Sequence, residues 1–229
     1  MESDRLAVVI PAYNEESTIS NVVKEIFDVL GKDVNVIVVN DCSKDATSKL
    51  SLDAGAIVLN LESNHGYAKA IEKGLDYATE HLNVTYLLTM DADGQHDPRS
   101  ILAIYKKAVD GNCDLVIGQR PTCARFSERL YSLYFKFRFK ITDPLSGLKL
   151  YKTSLYRHFG IFETYDSIGT ELLTCSLINN RKVSQVPIVI RDRKDSSPRF
   201  GSFWTANFRI IASLFHTIKK VLILIYYYC

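Results

Sequence analysis

The sequence predicts an α/β protein with a doubly wound, mostly parallel sheet that carries helices on both of its faces. The first half of the chain alternates short β-branched runs with helical stretches, which is typical of strand–helix–strand units with parallel strands. The chain has 229 residues, of which 47% are hydrophobic. That is enough apolar material to bury the core of one such domain.

Five buried strands are predicted in the first half, with a helix after each of the first four. The strands are Leu6–Ile10, Val34–Val39, Ala56–Leu59, Thr85–Thr89 and Leu115–Ile117. The helices are Ser17–Leu30, Lys44–Ala54, Tyr67–Glu80 and Pro98–Val109. In sheets of this kind ligands bind at the carboxyl ends of the strands, so we expect the chemistry in the loops that follow them.

The alternation becomes irregular after Arg120. A basic, aromatic helix over Arg125–Lys140, a strand near Leu148–Tyr151, a helix near Gly169–Ile178 and a strand over Val183–Ile190 are predicted in turn. The charged stretch Arg191–Arg199 is predicted to be a loop. The last helix, over Ser202–Ile225, has apolar residues at helical spacing. We therefore divide the chain into a domain of residues 1–201 and an amphipathic C-terminal helix within residues 202–229.

Charge is distributed unevenly along the chain, although the net charge is only +2. Residues 1–119 carry 10 Lys and Arg against 19 Asp and Glu, whereas residues 120–229 carry 18 against 7. An acidic half followed by a basic half suggests a metal or nucleotide site in the first and an anionic partner for the second. Nothing in the pattern predicts a nucleic-acid partner.

The cysteines and the apolar runs indicate the cellular compartment in which the protein is expected. None of the five cysteines forms a C-x-x-C pair, so we expect neither a zinc site nor a disulfide framework, and we expect a cytoplasmic protein. The N-terminus lacks the pattern of a signal peptide. No apolar run reaches the ~20 residues that span a bilayer. The longest candidate, Val221–Cys229, follows the basic pair Lys219 and Lys220.

The run Asp91-Ala92-Asp93 directly follows the strand Thr85–Thr89. Two carboxylates two residues apart on an extended segment point to the same side. They form an oxygen site suited to Mg²⁺ or Mn²⁺, and the cation would in turn bind a diphosphate. Gln95 and His96 are candidates for further ligands. Taken alone, a D-x-D run is more often a solvated turn than a metal site.

Two further polar loops follow the first and second strands. Pro11-Ala12-Tyr13-Asn14-Glu15 offers an aromatic ring for stacking on a base, and Asp41 can accept a hydrogen bond from a base N–H. Each loop could equally be a turn that starts the next helix. Three polar loops at successive strand ends carry more weight than any one of them. The chain lacks GxGxxG, Walker A and GxSxG motifs, so hydride transfer, P-loop chemistry and α/β-hydrolase chemistry have no support.

Together these segments resemble the family 2 glycosyltransferases, and most closely the dolichyl-phosphate mannose synthase and polyprenyl-phosphate glycosyltransferase type. The runs that carry the resemblance are VVIPAYNEE, VNDCSKDAT, NHGYAKAIEKGLDYA, MDADGQHDP and DLVIGQR. In the second half, Asp143-Pro144-Leu145-Ser146-Gly147 resembles the D-P-x-S-G segment of that type, and Val186-Pro187-Ile188 with Arg193 and Arg199-Phe200-Gly201 resembles a later stretch. The resemblance covers about residues 5–215 and implies the glycosyltransferase-A fold.

The resemblance also implies roles for particular residues. The nucleotide-sugar contacts it implies are Pro11, Tyr13, Asn14, Glu15, Val39, Asp41, Asp91, Ala92, Arg120, Arg193 and Arg199. Asp93 and Gln95, with Asp91 beside them, are the implied metal ligands. Arg120 is expected to face the diphosphate or the acceptor phosphate, and Glu171 to lie near the sugar. Residues 1–119 then form the nucleotide-sugar and metal half of the catalytic domain, and residues 120–201 the acceptor half.

The reaction implied is inverting transfer of a sugar from a GDP- or UDP-sugar to a polyprenyl or dolichyl phosphate. Such an acceptor is already anionic at neutral pH and needs no general base. If the acceptor is instead a hydroxyl of a growing glycan, a carboxylate must take its proton, with Glu171 as the candidate and Asp143 behind it.

Other interpretations stay open at this point. Besides the two enzymes with a phosphate or a hydroxyl acceptor, the chain could be a catalytically silent nucleotide-binding subunit. The C-terminal helix, with its basic and aromatic residues, fits the cytoplasmic face of an anionic membrane, but it fits a dimer contact or the core as well.

Overall fold

The computed structural model describes residues 6–121, 125–164, 168–192 and 203–228. A seven-stranded sheet with the order β3-β2-β1-β4-β6-β5-β7 forms its centre. The strands are β1 (Leu6–Ala12), β2 (Asn35–Asn40), β3 (Ile57–Asn60), β4 (Tyr86–Thr89), β5 (Leu115–Gln119), β6 (Lys149–Lys152) and β7 (Val183–Pro187). Neighbouring strands pair in parallel, except that β6 runs antiparallel to both β4 and β5.

The helices flank this sheet. They are α1 (Ile19–Leu30), α2 (Thr47–Asp53), α3 (Tyr67–His81), α4 (Arg99–Asp110), α5 (Phe126–Phe139), α6 (Thr153–Phe159), α7 (Thr170–Ile178) and α8 (Phe203–Tyr228). All the predicted strands and helices are confirmed, with ends that differ by a few residues. Helix α6 was not predicted, because seven residues directly after a strand give too short a periodic pattern.

Strand β7 ends at Pro187, three residues before the predicted end. Proline has no N–H to donate to the strand ladder, so it suits the end of a strand. The chain beyond it makes one isolated bridge, between Ile190 and His96. This bridge brings the segment after β7 to the loop that follows β4.

Side chains of β1 alternate between two cores, as expected for a sheet that is covered on both faces. Leu6, Val8 and Ile10 belong to the core under α1 and α4, whereas Ala7 and Val9 belong to the core under α3 and α5. Gly74 lets α3 approach the sheet closely, since a Cβ at this position would lie 2.3 Å from Val9 Cγ1. The doubly wound, mostly parallel architecture predicted from the sequence is therefore confirmed.

Helix α8 lies against α5 and α7. The Tyr131 hydroxyl of α5 lies 2.7 Å from Thr217 Oγ1 and 3.4 Å from Ser213 Oγ, and both of these α8 residues are buried. Within the part of the chain that the structure describes, no helix combines the length and apolar character needed to cross a membrane. The division of the chain at residues 201 and 202 stays a prediction.

Candidate active site

The carboxyl ends of β1, β2 and β4 lie side by side in the sheet. Ala12 of β1 is in register with Asn40 of β2, and Val9 of β1 is in register with Thr89 of β4. The three polar loops that follow these strands therefore start at one edge of the sheet. This is the edge at which open α/β sheets bind their ligands.

The Asp91 carboxylate is held from two sides. The Tyr67 hydroxyl, at the start of α3, donates to Oδ1 at 2.5 Å, and His96 Nε2 lies 3.1 Å from Oδ2. Burial opposes ionisation of Asp91, but the hydrogen bonds from His96 and Tyr67 outweigh it and hold its pKa below the usual value. Asp91 is therefore a fixed, ionised carboxylate, and Tyr67 is a site residue that sequence reasoning missed.

Gly147 touches the same carboxylate. A Cβ at this position would lie 2.5 Å from Asp91 Oδ2, a distance that no real side chain tolerates. The Thr89 hydroxyl fixes this approach by donating to the Gly147 carbonyl at 2.8 Å. The D-P-L-S-G segment of the second half thus meets the D-A-D segment of the first half. Spacing along the chain could not have predicted this contact.

Asp93 and Gln95 lie beside Asp91 in the turn before α4. Asp93 Oδ1 accepts the Gln95 N–H at 3.0 Å, and both side chains are partly exposed. Asp93 also lines a small open cleft of about 70 Å³ that reaches Asn21 of α1 and Arg191. Carboxylate and amide oxygens are the ligands that Mg²⁺ and Mn²⁺ prefer, and these ions commonly use one or two carboxylates together with substrate phosphates. The residues present therefore fit the predicted cation.

The described residues do not form a metal site from protein ligands alone. No group of three or more His, Cys, Asp or Glu side chains arranged for a metal occurs among the described residues. His96 Nε2 faces Asp91, so its proton is best placed on this nitrogen. His96 Nδ1 is then a buried acceptor, and it has no hydrogen-bond partner in the described part of the chain. His96 supports Asp91 rather than acting as a further ligand.

The first loop presents Tyr13 and Asn14 to solvent. The Tyr13 ring is 42% exposed, which leaves it accessible for stacking. Asn14 has a φ of 55°, and its side-chain oxygen accepts the Lys44 N–H at 2.9 Å. Glu15 is buried, and its carbonyl accepts the N–H of Ile19 at the start of α1. Hydrogen bonds thus fix Asn14 and Glu15, whereas the Tyr13 ring stays accessible.

Asp41 is buried at the end of β2 and accepts two backbone N–H groups. His65 N donates to Oδ1 at 2.7 Å, and Gly66 N donates to Oδ2 at 2.8 Å. These bonds hold the loop that leads into α3, and Tyr67 is the first residue of that helix. Each carboxylate oxygen can accept a second hydrogen bond, so recognition of a base by Asp41 stays a prediction.

Three small or apolar residues among the predicted nucleotide contacts are buried. Pro11 is buried near the end of β1, and Ala92 is buried in the loop that follows β4. Val39 is fully buried, and a Cβ on Gly74 would lie 2.9 Å from its Cγ2. The Val39 side chain therefore faces α3, and a contact of Val39 with a nucleotide stays a prediction. Arg193 and Arg199 lie outside the described residues.

Arg120 and Asp143 form a two-pronged ion pair at the end of β5. Arg120 Nε donates to Asp143 Oδ2 at 2.9 Å, and the Nη2 group donates to Oδ1 at 2.8 Å. The same Nη2 group reaches Glu128 of α5 at 3.2 Å. Asp143 also accepts the Arg120 backbone N–H. A carboxylate engaged on both oxygens is a poor proton acceptor, so the structure argues against Asp143 as a reserve base.

Glu171 is buried near the start of α7. Oε2 accepts the Thr164 N–H at 2.8 Å, and Oε1 accepts a hydrogen bond from Lys220 of α8. Burial raises the pKa of Glu171, but the bonds from Lys220 and Thr164 outweigh it and leave its pKa below the usual value. A general base needs a pKa near the working pH, so the structure argues against this role for Glu171.

Lys149 is a buried cation that sequence reasoning missed. It lies on β6, the central antiparallel strand, and its ammonium group donates to the Ile168 carbonyl. Burial lowers the pKa of Lys149 to about 7, although the charges of Asp143 and Glu163 oppose this shift. The only signal in the sequence is a lysine inside the apolar run LKLY.

Replacing Lys149 with methionine should change how stability depends on pH. An unfolded lysine keeps a pKa near 10.5, so between pH 7 and 10 the unfolded chain binds more protons than the folded chain. The wild-type free energy of unfolding should therefore rise through this window by a contribution that the Lys149→Met variant lacks. Urea unfolding at pH 7 and pH 9 measures it. Lys152→Met, at the partly exposed end of β6, is the control, and an equal pH dependence of wild type and Lys149→Met would contradict the prediction.

Comparison with known proteins gives a family and a fold. The family model described as Glycosyl transferase family 2 matches residues 7–185. An uncharacterized protein of Methanocaldococcus jannaschii is 37% identical over 121 residues, which are 50% of this chain and 52% of that protein. The UDP-N-acetylglucosamine–dolichyl-phosphate N-acetylglucosaminyltransferase of Methanococcus voltae is 26% identical over 224 residues, which are 82% of this chain and 86% of that protein. The chain thus spans about half of the first relative and most of the second.

Among solved structures, the chain resembles glucosyl-3-phosphoglycerate synthase from Mycobacterium tuberculosis, crystallised with Mn²⁺, uridine diphosphate and phosphoglyceric acid. The TM-score is 0.75 at 20% identity, over 93% of this chain and 78% of that one. The protein is a glycosyltransferase with the glycosyltransferase-A fold. More specifically, the chain belongs to glycosyl transferase family 2.

Proposed function

We propose that this protein transfers a sugar from a nucleotide-sugar donor to a polyprenyl or dolichyl phosphate, with Mg²⁺ or Mn²⁺ at the D-A-D segment. Residues 1–119 hold the donor and the cation, and residues 120–201 hold the acceptor. The observation that carries this proposal is the contact of Gly147 with the Asp91 carboxylate. It joins the acceptor-side segment to the donor-side segment at one strand edge, as transfer between two bound substrates requires.

On the donor side, we assign the base to Tyr13 and Asp41 and the diphosphate to the D-A-D segment. Asp93 and Gln95 would hold the cation, with Asp91 fixed beside them by Tyr67 and His96. The bound cation supplies charge neutralisation for the departing nucleoside diphosphate. Arg120 adds a positive charge at the end of β5, and its bonds to Asp143 and Glu128 keep its guanidinium in one orientation.

The state of the candidate bases supports a phosphate acceptor over a hydroxyl acceptor. Glu171 is paired with Lys220, and Asp143 is paired with Arg120. Neither carboxylate is poised to remove a proton from a sugar hydroxyl. A phosphate monoester already carries negative charge at neutral pH and attacks without a base. The similarity to a relative named for transfer to dolichyl phosphate points in the same direction.

This acceptor implies a location as well as a reaction. Nucleotide sugars are water-soluble and a polyprenyl phosphate is held in a bilayer, so the enzyme would work at the cytoplasmic surface of a membrane. The cysteines within the described residues, Cys42, Cys113 and Cys175, are unpaired thiols, which fits a reducing compartment.

Transfer from radiolabelled UDP- and GDP-sugars to a short-chain polyprenyl phosphate tests the proposed function. We expect product with the phosphate and none with the matching polyprenol, because only the phosphate attacks without a base. The product should require added Mg²⁺ or Mn²⁺. The Asp93→Asn variant is the control for background hydrolysis. Efficient transfer to a free sugar hydroxyl, lost in Glu171→Gln, would contradict the proposal and favour glycan elongation.

A further inference from the structure

The segment after β7 is paired with the turn that contains the two proposed metal ligands. We call this turn, residues 93–97, the metal turn. Ile190 and His96 form an antiparallel bridge. Beside the bridge, the Arg191 backbone N–H donates to the Gln95 carbonyl at 2.7 Å. The backbone of the metal turn is therefore held by a segment from the second half of the chain.

The Arg191 side chain ties this segment to helix α1. Its Nη1 group donates to Glu25 Oε2 of α1 at 2.5 Å. Its Nη2 group lies 3.4 Å from Asp97 Oδ1 in the metal turn. Asp97 has a second partner in Arg99, whose Nη2 group donates to it at 2.5 Å. Arg191 thus joins three elements: the segment after β7, the metal turn and α1.

Gln95 is held at both of its backbone groups. Its N–H donates to Asp93 Oδ1 at 3.0 Å, and its carbonyl accepts the Arg191 N–H. The two proposed ligands, Asp93 and Gln95, are therefore fixed relative to each other by bonds that end at Arg191. Mg²⁺ demands near-ideal octahedral geometry, so a small displacement of one ligand lowers its affinity. Residues that orient metal ligands accordingly contribute to metal binding without touching the ion.

Charge alone predicts opposite effects for the two members of the Arg191–Glu25 pair. Both side chains line the small cleft that Asp93 also lines. A guanidinium repels a divalent cation and a carboxylate attracts it. By charge, loss of Arg191 should therefore tighten cation binding, and loss of Glu25 should weaken it. If the pair instead braces the metal turn, loss of either member should weaken cation binding.

We propose that Arg191 is a positioning residue for the cation, because it braces the metal turn against Glu25 of α1. With the turn braced, Asp93 and Gln95 present their oxygens to one ion. This inference rests on the proposed function, which assigns the cation to these two residues. It adds a residue that acts through the Gln95 backbone and needs no contact with the cation or the nucleotide.

Calorimetric titration of the full chain with UDP and with GDP, each with and without Mn²⁺, tests this role. Arg191→Met should lower the Mn²⁺-dependent gain in nucleotide affinity about tenfold, as expected for a residue that supports a metal ligand. Glu25→Met should lower it by a similar factor, and the double variant should be no worse than either single variant, because each breaks the same link. Both side chains are partly exposed, so the core stays intact. Arg191→Lys, which keeps the charge, should restore most of the gain.

Arg99→Met is the matched control, because it removes the same charge from the other partner of Asp97 and lies outside the segment after β7. It should keep the Mn²⁺-dependent gain, and nucleotide affinity without Mn²⁺ should be unchanged in every variant. An unchanged or larger gain in Arg191→Met, an equal loss in Arg99→Met, or a loss of metal-free affinity would overturn the positioning role. Wild-type affinity that does not depend on Mn²⁺ would instead contradict the cation of the proposed function.

Discussion

Replacing Asp93 with asparagine should abolish metal-dependent binding of the nucleoside diphosphate while the fold is kept. Asp93 is partly exposed in a turn, so its side chain contributes little to the core. The substitution removes the carboxylate that, together with Gln95, would hold the cation. Loss of residues that merely support metal ligands costs roughly 10–100-fold in metal affinity, and loss of a ligand should cost at least as much. Calorimetric titration of UDP and GDP with and without Mn²⁺ measures this.

Asp97→Asn provides the contrasting control from the same loop. Its hydrogen bonds with Arg99 lower the pKa of Asp97 to about 2, and Arg191 lies 3.4 Å from its Oδ1. Its ionised form therefore stabilises the fold at neutral pH, a contribution that is lost as pH falls from about 4 towards 2. Asp97→Asn should lower thermal stability and keep metal-dependent affinity. Unchanged metal-dependent affinity in Asp93→Asn would remove the basis for the metal assignment.

Replacing Gly147 with alanine should reduce transfer at least about 100-fold, for a steric reason. The new methyl group would lie 2.5 Å from Asp91 Oδ2 and 2.9 Å from Asp91 Cγ, so the carboxylate must move. Moving it breaks its hydrogen bonds with Tyr67 and His96. A misplacement of about 1 Å in a positioned group can cost ~100-fold in rate. Steady-state kinetics together with Mn²⁺-dependent nucleotide binding should both report the loss.

Gly118→Ala is the matched control for this variant. Gly118 lies on β5, and a Cβ there would meet the Ile188 side chain at 3.0 Å and the Leu148 carbonyl oxygen at 3.1 Å, but no carboxylate. This variant should lose some stability but keep most of its activity. Circular dichroism of both variants separates local effects from unfolding. Full activity in a folded Gly147→Ala protein would show that the Asp91 carboxylate can shift without consequence.

The sequence by itself determined the elements, the fold class and the family. Strands of β-branched residues and helices with a 3.6-residue period are local patterns, so β1 to β5 could be predicted without knowledge of their neighbours. The D-A-D segment could also be predicted, because its two carboxylates are close in the chain and belong together wherever the strand ends. The resemblance to family 2 glycosyltransferases, which the family match confirms, allowed site residues to be predicted in the second half of the chain as well.

Only the tertiary structure decided which of the predicted site side chains are already held in ion pairs and hydrogen bonds. Glu171 and Asp143 were predicted as bases from their type and position, but Lys220 and Arg120 neutralise them from elements 49 and 23 residues away in sequence. The contacts of Tyr67, Gly147 and Lys149 join segments that are distant in sequence, so local patterns could not supply them. The apolar residues of α5 form a local pattern, yet this pattern does not tell which of them are buried and which are exposed. Packing decided this, since Tyr131 and Phe135 filled the core and left Phe126 and Phe137 outside.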